Sequence, residues 1–378
     1  MMSWTRRAAV LLTVGALLFV GSPAQAQGVW TTVASPNEPG RNFLSGADAS
    51  DASHVWAVGA MVARDRITFR SLILRHDGTA WRAAPQSGFP ANASLADVDA
   101  VSGNEAWAAG SSSSGIGGTN TLVARWNGSS WAPEPTPNGD PPGASQLSGV
   151  AAAGGTVWAV GRSMEPAPSY NRRALILQRT GGTWRVSSAP RVLGNVFLEG
   201  VDATGPSDAW AVGWGTPDIN SGPGEAKPIA LRWNGTGWRS QPPPVPAETT
   251  LQAVDALTPT NVWVAGKILS GWDHQPYVAQ FNGTSWRRIA TPTLDTGGEL
   301  TDIVALSPSN IVAVGTAGSS FSPLVMHWNG SSWRVETASP PNATLNGAAA
   351  VGPNTFWAVG TRFELNAYEE RTFTMVRT

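Results

Sequence analysis

Four aspartates, Asp48, Asp99, Asp202 and Asp255, recur at one position of a repeated pattern, and carboxylates so arranged could hold a cation. The equivalent positions elsewhere are Ala151, Val304 and Ala349, and a role repeated four times points instead to architecture: a carboxylate bonded to the adjacent turn or to a buried indole N–H. The four histidines, His54, His76, His274 and His327, form no H-x-x-x-H or H-E-x-x-H spacing, and cysteine is absent. No metal site, cofactor or catalytic set is therefore expected. A second group escapes the repeated pattern: Arg66, Tyr170, Arg172, Trp214, Trp272, His274 and Tyr368, joined by Arg64, Arg173 and Arg371. Aromatic faces beside polar donors suit sugar rings or peptides, so the first seven are the candidate ligand-binding residues. Carboxylates in the same segments, Asp65, Asp218, Glu225, Asp273, Glu364, Glu369 and Glu370, would serve an acid–base pair if the chain were a hydrolase or lyase.

What positions these residues is a repeat of about fifty residues. A short strand ending in Gly recurs as VWAVG, AWAAG, VWAVG, AWAVG, VWVAG, IVAVG and FWAVG, with Trp56, Trp107, Trp158, Trp210, Trp263, Val312 and Trp357 at its second place. A tight Gly-containing turn then leads into Trp81, Trp131, Trp184, Trp238, Trp286 and Trp333, with Trp30 as the seventh. Each unit reads as four antiparallel strands, A to D. A Pro- or Asp-rich hairpin lies between A and B, and an Asn-Gly type turn between C and D. The fold class predicted is all-β: a seven-bladed β-propeller with four strands per blade. Residues 27–42 supply the outer strand of blade seven, and blades start near 43, 94, 146, 197, 250, 299 and 344. The stacked Trp rings are expected to pack blade against blade.

Composition bounds the setting. Of 378 residues 42% are hydrophobic and 13% charged, which is core enough for a folded domain, and a formal net charge of −1 without basic runs disfavours nucleic acid. Arg6 and Arg7, an apolar run from Ala8 to Val20, and Ala24-Gln25-Ala26 predict a secretory signal over 1–26 and a propeller over 27–378. A secreted location follows, periplasmic in a Gram-negative cell, with no membrane span after cleavage. The excess of Arg over Lys suggests a GC-rich bacterial genome, and a monomer is expected.

The unit resembles the kelch repeat and the tryptophan-rich repeats of secreted bacterial propellers: a hydrophobic strand ending in Gly, an aromatic on the third strand, and Trp opening the fourth. A single Gly (Gly59, Gly161, Gly213, Gly315, Gly360) stands where kelch repeats carry two. The resemblance implies a fold more than an activity. The copper chemistry of kelch-like galactose oxidase needs a cysteine this chain lacks, and the Ser-x-Asp-x-Gly-x-Thr-Trp turns of sialidases do not occur. B–C loops vary in length while the scaffold does not, and in a four-stranded blade they share one face with the D–A loops. The predicted function is non-catalytic binding of a glycan, peptide or cell-surface protein through that face. The alternatives are an extracellular hydrolase or lyase, and a structural scaffold of the cell envelope.

Overall fold

The computed structural model describes residues 28–378 apart from 116–117, 140–143, 219, 222, 247, 271–272, 319–320, 337 and 365–368. The expected leader, 1–26, lies outside them. The described residues form seven antiparallel sheets of four strands. In blade one these strands are Arg41–Asp51, His54–Val62, Phe69–His76 and Trp81–Ala83. The inner strands of the next six blades begin at Ala93, Ser145, Asn195, Thr249, Gly298 and Ala343.

The glycine that ends each VWAVG run has a steric cause. Strand A shifts register beside it, between Leu44 and Gly46 in blade one, and this bulge pushes its backbone toward strand B. A Cβ on Gly59 would overlap the Phe43 carbonyl oxygen, and the same overlap recurs at Gly110, Gly161, Gly213, Gly266, Gly315 and Gly360. The repeat therefore tolerates only Gly there.

The core is not one mass. Seven hydrophobic clusters occupy the seven seams between neighbouring blades, such as the one joining Trp56 and Val58 to Leu95, Trp126 and Trp131. At six of the seven seams the strand B Trp of one blade meets the strand D Trp of the next. The ring centres of Trp56 and Trp131 are 5.1 Å apart, those of Trp210 and Trp286 5.2 Å, and those of Trp357 and Trp81 5.2 Å, all edge to face. In blade six Val312 takes the Trp place, against Trp30. The inter-blade packing expected of these rings is what they do, and truncating a buried one to Ala should cost about 3–5 kcal/mol.

A second rule follows from the indole N–H groups. The residue three places after each strand D Trp faces the strand D Trp of the following blade. Where it is polar it accepts: Trp184 donates to Glu134 at 3.0 Å, Trp238 to Ser187 at 3.2 Å, and Trp30 to Glu336 at 2.8 Å. Trp286 uses the Gln241 carbonyl instead, at 2.8 Å. Where the residue is apolar, as at Val33, Ala84 and Ile289, the facing Trp81, Trp131 and Trp333 leave their buried N–H without a partner. Ala84→Ser should therefore stabilise the protein by about 1 kcal/mol by giving Trp131 the acceptor that Ser187 gives Trp238. Thermal melts of the two proteins check it, with no gain counting against the rule.

Closure joins the ends. Trp30–Val33 pairs antiparallel with Glu369–Arg377, from Trp30↔Arg377 to Val33↔Thr374, and completes blade seven. Thr374 Oγ1 donates to the Val33 carbonyl at 2.7 Å, and the Thr372 amide donates to Asn37 Oδ1 at 2.8 Å.

Candidate functional site

Six aspartates line the central channel in two tiers. Asp48, Asp99, Asp202 and Asp255 form one, and Asp97 and Asp302, two places earlier in strand A, the other. The sequence suggested a bond to the adjacent turn or an indole, and the structure corrects this: each accepts a backbone N–H from strand A of the next blade. Ala100 donates to Asp48 at 2.7 Å, Ala152 to Asp99 at 2.9 Å, Ala256 to Asp202 at 2.6 Å and Ala305 to Asp255 at 2.9 Å. Val150 donates to Asp97 at 2.9 Å and Ala348 to Asp302 at 2.7 Å. Strand A is the innermost strand, so its free edge N–H groups face the channel, and an aspartate one blade back is the nearest acceptor. Burial pushes Asp97 up to about 6, Asp48 to about 7 and Asp302 to about 8, with the neighbouring carboxylates adding to the rise. Asp99 and Asp255 are held well above the ordinary range for the same reasons, and burial raises Asp202. Among the described residues no group of His, Cys, Asp or Glu has the geometry to hold a metal ion. The channel cavities are about 100 and 130 Å³, well below the roughly 300–1,000 Å³ of ordinary ligand sites. These carboxylates staple blades together.

The B–C and D–A loops share one face, and the two kinds of residue that break the repeat gather there. All six non-glycine residues with left-handed backbone among the described residues lie on it: Arg66, Tyr170 and Phe321 in B–C loops, and Asn92, Glu248 and Asn342 in D–A loops. Such conformations cost a bulky side chain of order 1–3 kcal/mol. The exposed aromatics Phe69, Tyr170 and Phe321 are on this face too, Tyr170 at 49% and Phe321 at 53% exposure, with Ile67 beside them. Phe321 meets Phe363 of the next blade at 5.5 Å between ring centres.

The structure joins two of the predicted site residues. Within blade four, Trp214 stacks on its cross-strand partner Phe197 with ring centres 4.1 Å apart and planes 10° from parallel, and Phe197 in turn meets blade three across the seam. The guanidinium carbons of Arg162 and Arg172 lie 5.2 and 5.5 Å from the Phe197 ring centre. Glu199 Oε1 accepts the Trp214 indole N–H at 3.2 Å, and Arg162 Nη2 donates to Gln146 Oε1 at 3.0 Å. Burial raises the Glu199 carboxyl above its ordinary value, against the pull of Arg162. Burial lowers Arg162, Glu199 opposes that, and Arg172 adds to the lowering.

The other candidates among the described residues are dispersed. Arg66 stands exposed in blade one. His274 is half-buried at the start of strand C of blade five, opposite Leu269. Trp272 and Tyr368 lie outside the described residues. Arg173 pairs with Glu165 and Arg371 with Glu369. Several carboxylates proposed for acid–base work are similarly committed: Asp65 accepts from Ile67, Thr68 and its hydroxyl, Asp218 from the Asn220 amide, and Glu370 from Arg41. A notch of about 350 Å³ lies on the opposite face around Ser207, Asn234 and Arg239, where Arg232 is already bonded to Asp208.

Sequence reading missed Phe197, Arg162 and Glu199. A signal existed for Arg162: it follows the repeat Gly at the place held by Ala60, Ser111, Thr316 and Thr361, where only Arg162, Trp214 and Lys267 are large. Lys267 likewise crosses its seam, to Glu299.

No family model and no curated protein matches the chain. Among solved structures it is similar to YCF48 bound to D1 peptide, with TM-score 0.55 and 13% identity over 92% of this chain and 96% of that one. It is also similar to a protein of unknown function from Dyadobacter fermentans, with TM-score 0.51 and 12% identity over 93% and 98%. A third is a polysaccharide lyase, the PL25 ulvan lyase bound to -[GlcA(1-4)Rha3S]-, with TM-score 0.51 and 12% identity over 91% and 95%. At these identities the likeness is one of fold, and the chain is a seven-bladed β-propeller.

Proposed function

We propose that the protein is a secreted binding scaffold, of the tryptophan-rich kelch-like kind, whose B–C loop face engages a glycan or peptide. The observation that carries this reading is that the left-handed non-glycine residues and the exposed aromatics sit on that one face. A fold gains nothing from placing Tyr170 and Phe321 in a backbone region that glycine would occupy without strain, so their side chains are kept for what they meet. The similar propellers bound to a D1 peptide and to an acidic saccharide support the reading as examples of what this architecture can present.

The test separates stability from binding. Tyr170→Gly relieves the backbone strain while adding unfolded-state freedom, so its stability should stay within about 1 kcal/mol of the parent. Its affinity for glycan-array or peptide-array ligands of the parent should fall. Unchanged binding by both Tyr170→Gly and Phe321→Gly, each folded as judged by its melt, would remove the reading.

A further inference from the structure

Two guanidiniums and one carboxylate meet at the Phe197–Trp214 stack, leaving an excess of positive charge in a half-buried place. Arg172 makes no ion pair among the described residues, in contrast to Arg173 and Arg179 beside it in the same strand, which pair with Glu165 and Glu134. Among the described residues Arg162 has only the Gln146 side chain as a hydrogen-bond partner, with Glu199 and Arg172 as nearby charges. Like charges converging on one ring repel, and a bound anion between them would turn that repulsion into two charge-assisted hydrogen bonds. The site also belongs to the mouth of the channel, since Ser148 and Glu199 line the upper channel cavity.

We infer that this seam binds the carboxylate of an acidic sugar, a uronate residue of a glycan, with Arg162 and Arg172 gripping the anion beside the Phe197–Trp214 stack. The inference rests on the binding role proposed above and names the ligand class for part of the same face. Side chains decide between sugar and peptide. Gln146, Ser148 and Glu199 offer donors and acceptors for ring hydroxyls around the stack. A peptide in extended form would need a free sheet edge, and here strands A and B are paired with each other from Asn195↔Thr216 to Gly205↔Asp208. On the blade-three side of the seam the inner, channel-facing edge of strand A is in turn capped by Asp97 and Asp99, which accept from Val150 and Ala152. Planar guanidiniums match a carboxylate fork, and their aromatic backing fixes their orientation before the ligand arrives.

Calorimetry on the full chain tests this with three probes: a glucuronate-containing tetrasaccharide, its neutral glucose counterpart, and an acidic tetrapeptide. The parent should bind the glucuronate probe at least about tenfold more tightly than the neutral one, and more weakly as salt rises. Arg172→Gln and Arg162→Gln should each weaken it about tenfold to a hundredfold, with Arg172→Lys falling between. Arg172 is only half-buried, so Arg172→Gln should melt with the parent and report binding alone. Equal binding of acidic and neutral saccharides, equal binding by parent and Arg172→Gln, or preference for the peptide would overturn the inference. If Tyr170→Gly still weakens binding in those cases, the broader binding role stands without this subsite. A parent that binds no saccharide and no peptide on the arrays sinks both.

Discussion

Replacing Glu336 with alanine is expected to destabilise the protein by about 3–5 kcal/mol. Glu336 is 1% exposed and closes the seam between blades six and seven. Its Oε2 accepts the Trp30 indole N–H at 2.8 Å and meets Arg377 Nε at 3.1 Å, and its Oε1 takes Arg334 Nη2 at 3.4 Å. Arg377 is 5% exposed. Without the carboxylate a buried guanidinium loses its counter-charge, and both outer partners of blade seven lose their shared anchor. His327 does not replace it: its Nδ1 accepts from Arg334 at 3.2 Å while its Nε2 contacts Asn310 Oδ1 at 2.7 Å, which describes a neutral ring, and burial holds it down to about 4. Glu134→Ala is the control. Glu134 stands in the same place at the seam of blades two and three, bonded to Arg179 and Trp184, but is partly exposed. It should cost less, about 1–3 kcal/mol. Denaturant unfolding gives both values, and hydrogen exchange should show residues 30–33 losing protection in Glu336→Ala alone. Equal costs, or protected residues 30–33, would mean that Glu336 does not secure the closure.

Stability should rise on acidification from pH 8 to about 5, and Asp302→Asn should flatten that rise. The sign follows from burial. A carboxyl raised from its ordinary 3.8 to about 8, as Asp302 is, favours folding with nothing lost below 3.8. The loss then accumulates as pH climbs through the folded value. Each unit of displacement corresponds to about 1.4 kcal/mol. Asp48 and Asp97, at about 7 and about 6, act the same way, and Asp99, Asp202 and Asp255 share the direction. The opposing groups are few. His327 and His76 are lowered by burial and lose stability as pH falls below their ordinary 6.5, which places the optimum on the acid side of neutral without extending it far below 5. Asp65 and Asp77, lowered by Thr68 and Thr79 in their own turns, are solvent-exposed and act only in strong acid. Asn at 302 can accept the Ala348 N–H with its oxygen while carrying no charge, so the variant should melt several degrees above the parent at pH 8 and level with it near pH 4.5. Asp302→Ala, which leaves that N–H and that of Ile303 without an acceptor, should melt below the parent at both. A parent whose melting temperature climbs from pH 5 to pH 8 contradicts the account.

The repeat was legible because packing forces it. Trp56 and Trp131 recur in nearly every blade since each seam needs the same pair of rings, and the Gly after strand B recurs since strand A always bulges there. The aspartates were visible but their partner was not. Asp48 reaches Ala100, 52 residues on, and nothing in the chain's order says which backbone amide a curved stack brings within range. Asp97 and Asp302 escaped notice because Gly46, Gly149, Gly200, Ala253 and Gly347 hold their place in the other blades. The functional face was legible only as an exception to the pattern. Trp214 and Arg172 stood out singly, whereas Phe197 looked like an ordinary strand residue until strand pairing laid it against Trp214 and the seam brought Arg162 over it.

Pairing Trp30 with Arg377 closes the ring through the strand pair most remote in sequence among the described strands. Holding together ends some 350 residues apart carries an entropic cost of roughly 5 kcal/mol, so this pairing forms after the six intervening sheets have stacked. Until then the C-terminal sheet offers one vacant flank, and the matching segment of another copy satisfies it equally well. Refolding at high concentration should therefore yield exchanged dimers and open chains of molecules, while dilution favours the self-contained ring.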